Sequence, residues 1–250
     1  MNIQELRERC QGSGSKAPSL ASQTLWGRFN RIFSIYATWI FIRLPFTPNQ
    51  ITVFGTIVFL VGCISFAVGQ STYNYIGWGL IVLSFVLDAV DGELARYRNV
   101  MKRFDLGGVY VEPVSHDVQY GLMFLPMGFG ASVATGSLFP FLFAGIAASC
   151  KLMFRLLEFR HTAAMRHIDE VDGKFYGHST GKKTPATWSY FIYRNVFVVT
   201  GMIPMLLIAT VLNHIDWFVY FYGASLFTIW LYLLNRHVRR IWSTAKEKGY

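Results

Sequence analysis

All 23 lysines and arginines of this chain can be assigned to one side of a membrane, and very few ways of threading apolar sequence through lipid allow that. Six blocks, at 49–69, 73–97, 108–132, 137–160, 189–212 and 216–236, are mostly apolar. Each comes close to the roughly 20 residues a helix needs to cross a hydrocarbon core. The links at 70–72, 134–136 and 213–215 carry no basic residue. With the N-terminus in the cytoplasm these three links lie outside, and the positive-inside rule holds without exception. One crossing more or fewer would break it. Tyr73, Tyr75, Trp78, Trp217 and Tyr220 gather at the outer ends, where interfacial aromatics belong. The sequence therefore predicts an all-α integral membrane protein with six transmembrane helices.

Charge and cysteine content fit that reading. Only 15% of residues are charged, against about 25% in soluble domains. The net charge of +9 comes from residues between apolar blocks, so it reads as topology and no nucleic-acid partner is expected. Cys10, Cys63 and Cys150 neither make a disulfide framework nor show metal-ligand spacing. The first twenty residues are polar and resemble no cleavable signal, so insertion is expected to be driven by the internal spans. Residues 1–24 are expected to form a flexible polar N-terminus, and 25–46 an amphipathic helix on the membrane surface. There Trp26, Phe29, Ile32, Phe33, Tyr36 and Trp39 alternate with Arg28, Arg31 and Arg43, which would turn towards lipid headgroups. The six-helix domain spans 47–240, and 241–250 is a cytoplasmic tail. Both termini are expected on the cytoplasmic side of the cell membrane.

Acidic residues at membrane depth are costly and point to a partner or a function. The second block ends in Asp88-Ala89-Val90-Asp91-Gly92-Glu93-Leu94-Ala95-Arg96. Asp88 and Asp91 share a helix face. Gly92 and Ala95 remove bulk beside them, and Arg96 adds a cation. Such a set makes a pocket for a metal ion and something phosphorylated. The third block opens with Gly108, Glu112 and His116 at intervals of four, again on one face. Glu112 can ligate a metal; His116 can ligate it or act as a base. The structural alternative is that the acids pair with Arg96, Arg98 or Lys102, and that His116 is a buried, hydrogen-bonded histidine.

These residues resemble the signature of the CDP-alcohol phosphotransferases, D-x-x-D-G-x-x-A-R followed by G-x-x-x-D-x-x-x-D. Asp88, Asp91, Gly92, Ala95 and Arg96 match its first half in full. Thr47-Pro48-Asn49-Gln50-Ile51-Thr52 also resembles a stretch common in that family before the first span. In the second half Gly108 matches, while Glu112 and His116 replace the last two aspartates. The resemblance implies transfer of a substituted phosphate group from a CDP-alcohol to an acceptor hydroxyl, with release of CMP, in phospholipid synthesis. It implies magnesium or manganese held by Asp88, Asp91, Glu112 and His116, with His116 and Asp91 catalytic and His116 in the place of the family's base. Asp88, Gly92, Ala95, Arg96 and Gly108 would surround the cytidine diphosphate. Asp117 is a substitute base about 100° further round the helix. A donor, an alcohol acceptor, membrane lipids and a second copy of the chain are the partners implied.

Lys151, Arg155 and Arg194 are candidates for an acceptor phosphate or lipid headgroup; snorkelling to the interface is the competing reading for the first two. The stretch 160–188, rich in histidine and charge, reads as a solvated loop or a lid. A non-catalytic nucleotide- or lipid-binding relative is the second reading. A transporter would spread its acids through membrane depth, and here they cluster at one end.

Overall fold

A computed structural model describes residues 2–12, 24–98, 110–171 and 188–247, the side chains of 168–171 and 188–190 excepted. The described residues form ten helices and no strand. In chain order these are α1 (Ile3–Gln11), α2 (Leu25–Phe41), α3 (Pro48–Phe66), α4 (Ser71–Tyr97), α5 (Glu112–Leu122), α6 (Phe124–Thr135), α7 (Phe139–Val171), α8 (Trp188–Val196), α9 (Val199–Val211) and α10 (Ile215–Glu247). Gly108 and residues 172–187 of the expected loop lie outside the described residues.

Local chemistry sets where these helices start. Thr47 caps α3 in a reciprocal box with Gln50, and Pro48 occupies the first helical position, where its missing N–H is not needed. Thr24 caps α2 by accepting from the Gly27 amide. Four helices, α3, α4, α7 and α10, are long and apolar enough to cross a membrane. Their outward faces are apolar as well, as at Phe54, Ile57 and Ile64 on α3 and Leu142 and Leu156 on α7. Lipid tolerates such a surface, whereas water limits apolar patches to a few hundred Å². The chain is a multi-pass membrane protein.

The third and fifth predicted spans are each divided in two. Pro126, in the first turn of α6, cannot donate to the carbonyl of Leu122, and the chain bends at Met123 between α5 and α6. Between α8 and α9, Val198 is extended. The carbonyls freed at that break are satisfied from neighbouring helices: the ammonium of Lys151 donates to Phe197 at 2.7 Å and the hydroxyl of Tyr222 to Val196 at 2.8 Å. Unpaired backbone at membrane depth is tolerated only with such help.

α3 and α4 pack with their backbones in close approach. A Cβ on Gly62 would lie 2.9 Å from the Gly77 carbonyl oxygen, and one on Gly77 would lie 2.6 Å from that of Gly62. Small residues let the two backbones touch. Around this pair, Phe59, Ile81, Phe124, Met127, Leu206 and Tyr222 build a core shared by α3, α4, α6, α9 and α10.

The N-terminal region departs from expectation. Within the stretch expected to be flexible, residues 3–11 form α1, whose Leu6 and Cys10 are fully buried against Ile35 of α2. Leu6 and Cys10, four apart, give that helix its apolar contact. In α2 the protein-facing side is polar, with Asn30, Ser34 and Thr38 buried, while Phe29, Ile32, Phe33, Tyr36 and Ile40 face outward. Asn30 donates to the Phe85 carbonyl at 2.6 Å. Ser34 and Thr38 donate to the fully buried carboxylate of Glu93 at 2.7 and 2.6 Å. α10 continues to Glu247, so most of the expected tail is helix.

Candidate active site

The acids converge where α3, α4 and α5 meet. Asp91, 7% exposed, accepts a short 2.5 Å hydrogen bond from the Thr52 hydroxyl in the first turns of α3. Asp88, one turn earlier on α4, stands 3.7 Å from Nε2 of His116 on α5. Glu112, one turn before His116, reaches the same nitrogen at 3.9 Å. The carboxylate of Asp91 interacts electrostatically with both Asp88 and Glu112. The imidazole of His116 stacks on Tyr120 with ring centroids 5.6 Å apart, and its Nδ1 is buried without a hydrogen-bond partner. Asp88, Asp91, Glu112 and His116 are thus brought together. The alternative of a satisfied core histidine does not match this geometry.

Among the described residues no lysine or arginine lies within ion-pair distance of Asp88 or Asp91. Arg98 donates to the carbonyls of Phe46 and Leu44, and Arg96 to that of Cys10 at 2.8 Å. Hard carboxylate oxygens that meet no lysine or arginine among the described residues suit magnesium or manganese. Among the described residues no three such groups are already gathered tightly enough to enclose an ion. In chemistry the residues fit a divalent metal, to which Asp88, Asp91 and Glu112 could offer oxygens.

A family model described as CDP-alcohol phosphatidyltransferase matches residues 46–230. The chain belongs to the CDP-alcohol phosphatidyltransferase family. No curated protein matches it. This family moves a phosphate-alcohol group from a CDP-alcohol to an acceptor in lipid synthesis, so the phosphatidyltransferase chain is of the transferase class.

Beside the acids of this transferase, Gly92 and Ala95 are small as expected, but the space over Gly92 is shared. A Cβ there would lie 3.3 Å from Nη1 of Arg96. The three basic candidates diverge. Arg155 pairs with Asp117 at 2.5 Å, next to His116, and both remain about 44% and 43% exposed. With Glu158, Thr162, Arg166 and His167 it lines a cleft of about 670 Å³ on the C-terminal part of α7. Lys151 is 8% exposed and donates to the Phe197 carbonyl, so its ammonium does not snorkel to the interface. Arg194 is half-buried on α8.

Two residues at the site, Thr52 and Tyr120, and a third behind it, Glu93, carry weight that the sequence reading did not assign. Thr52 closes the Thr47–Thr52 stretch, and its distance from the helix start places it beside the acids; that register was its only signal. Glu93 sits inside the signature but points the other way, towards α1 and α2.

Proposed function

We propose that this transferase passes a phosphatidyl group from CDP-diacylglycerol to a polar alcohol at the cytoplasmic end of α4 and α5. The reading is supported above all by carboxylates from two membrane helices meeting around His116, with no lysine or arginine among the described residues on Asp88 or Asp91. The oxygen of the acceptor hydroxyl attacks the β-phosphorus of the donor. The bond from that phosphorus to the oxygen of CMP breaks, and CMP leaves. The hydroxyl proton passes to His116, or to a neighbouring carboxylate if His116 is itself a ligand. Bound by Asp88, Asp91 and Glu112, a divalent cation would offset the charge of the diphosphate and of the departing CMP. Thr52 holds the Asp91 carboxylate in one orientation, and Gly92 and Ala95 leave room for the nucleotide. Arg155, with Arg166 behind it, supports recognition of an anionic acceptor or headgroup; Arg194 belongs to the same reading.

Counting the two divided helices as crossings gives six spans. The distribution of basic residues supports a cytoplasmic position for both termini and the site, and the cell membrane is the membrane this reading assigns. A homodimer is part of this reading.

The direct test is CMP release by purified protein given CDP-diacylglycerol and a panel of alcohols, with the product lipid identified by mass spectrometry. Release should need magnesium or manganese and stop with chelator. CMP formed only when a CDP-linked polar head is offered with a lipid alcohol would reverse the direction of transfer. The internal contact of His116 with Asp88 and Glu112 also favours a second reading, a nucleotide- or lipid-binding relative without turnover. Binding of donor with no CMP from any pair would establish it.

Thr52→Val keeps the shape and removes the donor to Asp91. Loss of one hydrogen bond to a charged group costs about 1.5–3 kcal/mol. We expect kcat/KM for CMP release to fall at least tenfold, with metal dependence shifted to higher concentration. Unchanged kinetics would remove Thr52 from the site.

A further inference from the structure

α1 does more than cover apolar surface. Three of its side chains or carbonyls reach the last two turns of α4. Gln11 donates to the Glu93 carboxylate at 2.5 Å, Arg9 donates to the Tyr97 carbonyl at 3.1 Å with its guanidinium 4.6 Å from the Tyr97 ring, and the Cys10 carbonyl accepts from Nε of Arg96 at 2.8 Å. Cys10 is in the last turn of α1, where a helix leaves carbonyls without partners of its own and carries the negative end of its dipole. That carbonyl is a natural partner for a guanidinium edge. Engaging Nε leaves the two terminal amino groups of Arg96 to point elsewhere, and they lie 3.3 and 3.7 Å from the position of a Cβ on Gly92. Among the described residues no carboxylate pairs with Arg96. The fork therefore stands over the small-residue side of α4, on the flank of the acids, in a fixed pose.

We infer that α1 is a working part of the nucleotide site: its Cys10 carbonyl positions Arg96 so that the guanidinium fork receives the diphosphate of the donor. This rests on the transferase reading above and adds an element that lies outside the matched residues 46–230. The physical gain is preorganisation. An arginine held by one edge loses less side-chain freedom when its other edge binds phosphate. Linkage makes the effect reciprocal: if docked α1 favours nucleotide, bound nucleotide must favour docked α1 by the same factor.

Cys10 reports on that docking. Its thiol is fully buried under α1, and burial, with the Glu93 carboxylate adding to it, pushes its pKa up to about 11. Alkylation at neutral pH must wait for α1 to open. The full-length protein is treated with a thiol reagent, with and without cytidine 5′-diphosphate at a concentration shown by titration to saturate, and the Cys10 peptide is followed by mass spectrometry. We expect saturating nucleotide to slow Cys10 alkylation about five- to tenfold, and Arg96→Lys to abolish that protection. Leu6→Asp, which undocks α1, should weaken nucleotide binding by a similar factor and raise the donor KM, with kcat within about twofold. Bound nucleotide that leaves the Cys10 rate unchanged, or protection that survives Arg96→Lys, would overturn the inference and leave the transferase reading intact. Failure of the native chain to bind cytidine diphosphate at all would overturn both.

Discussion

Asp91→Asn is expected to lower CMP release at least about a hundredfold, the scale seen when one preorganised group that stabilises transition-state charge is removed, without loss of folded protein. The amide keeps the volume of the carboxylate and can still accept from Thr52, so the contact between α3 and α4 survives. What disappears is one of the negative charges in the acidic cluster. Asp91 feels repulsion from both Asp88 and Glu112, and relieving it should hold or raise the unfolding temperature in chelator. The same substitution should shrink the stabilisation conferred by metal. A site-bound cation at a hundredfold excess over its Kd stabilises the native state by about 2.7 kcal/mol, and most of that increment should be missing in the variant. Thermal unfolding with magnesium and with chelator, run beside the CMP assay, separates these effects. A variant that keeps full turnover would remove Asp91 from the chemistry. One that simply unfolds would make its role structural.

Gly77→Leu should have the largest effect on folding. Its Cβ alone would sit 2.6 Å from the Gly62 carbonyl oxygen and 2.6 Å from the Phe66 ring, closer than the 3.0 Å that real Cβ atoms keep. Backbone cannot rotate out of the way, so α3 and α4 must separate. Overpacking of this kind costs about 3 kcal/mol, a large part of the roughly 5–15 kcal/mol that holds a domain together. Activity should fall further than folded yield, because α3 carries Thr52 and α4 carries Asp91. Gly79, half a turn away, is the internal control. Nothing lies within 4 Å of a Cβ placed there, and Gly79→Leu should be neutral or slightly stabilising through helix propensity. Equal midpoints for the two variants in detergent would refute the close approach.

Much of the architecture was legible without coordinates because lipid imposes a strict local rule. Long apolar blocks separated by basic or very short links leave little freedom in where helices run, and α3, α4, α7 and α10 lie where that rule put them. The acids were legible for the same reason. A three- or four-residue spacing decides which side chains share a helix face, so Asp88 with Asp91, and Glu112 with His116, could be paired within their own helices.

Contacts between helices obey no such local rule. Thr52 and Asp91 are 39 residues apart, Lys151 and Phe197 are 46, and Cys10 and Arg96 are 86. Which partners meet depends on the rotation of each helix about its axis, and that is set by packing such as the touching backbones at Gly62 and Gly77. The division of two spans depended likewise on whether neighbours could satisfy the freed carbonyls, as Lys151 and Tyr222 do. A polar N-terminal stretch looks unstructured by composition, yet Leu6 and Cys10 find a buried seat once α2 and α4 are assembled. The sequence alone determined that this chain crosses a membrane and which acids each helix presents. Tertiary packing alone decided that Thr52 meets Asp91 and that Lys151 meets the Phe197 carbonyl, because only packed helices bring distant residues within hydrogen-bond reach.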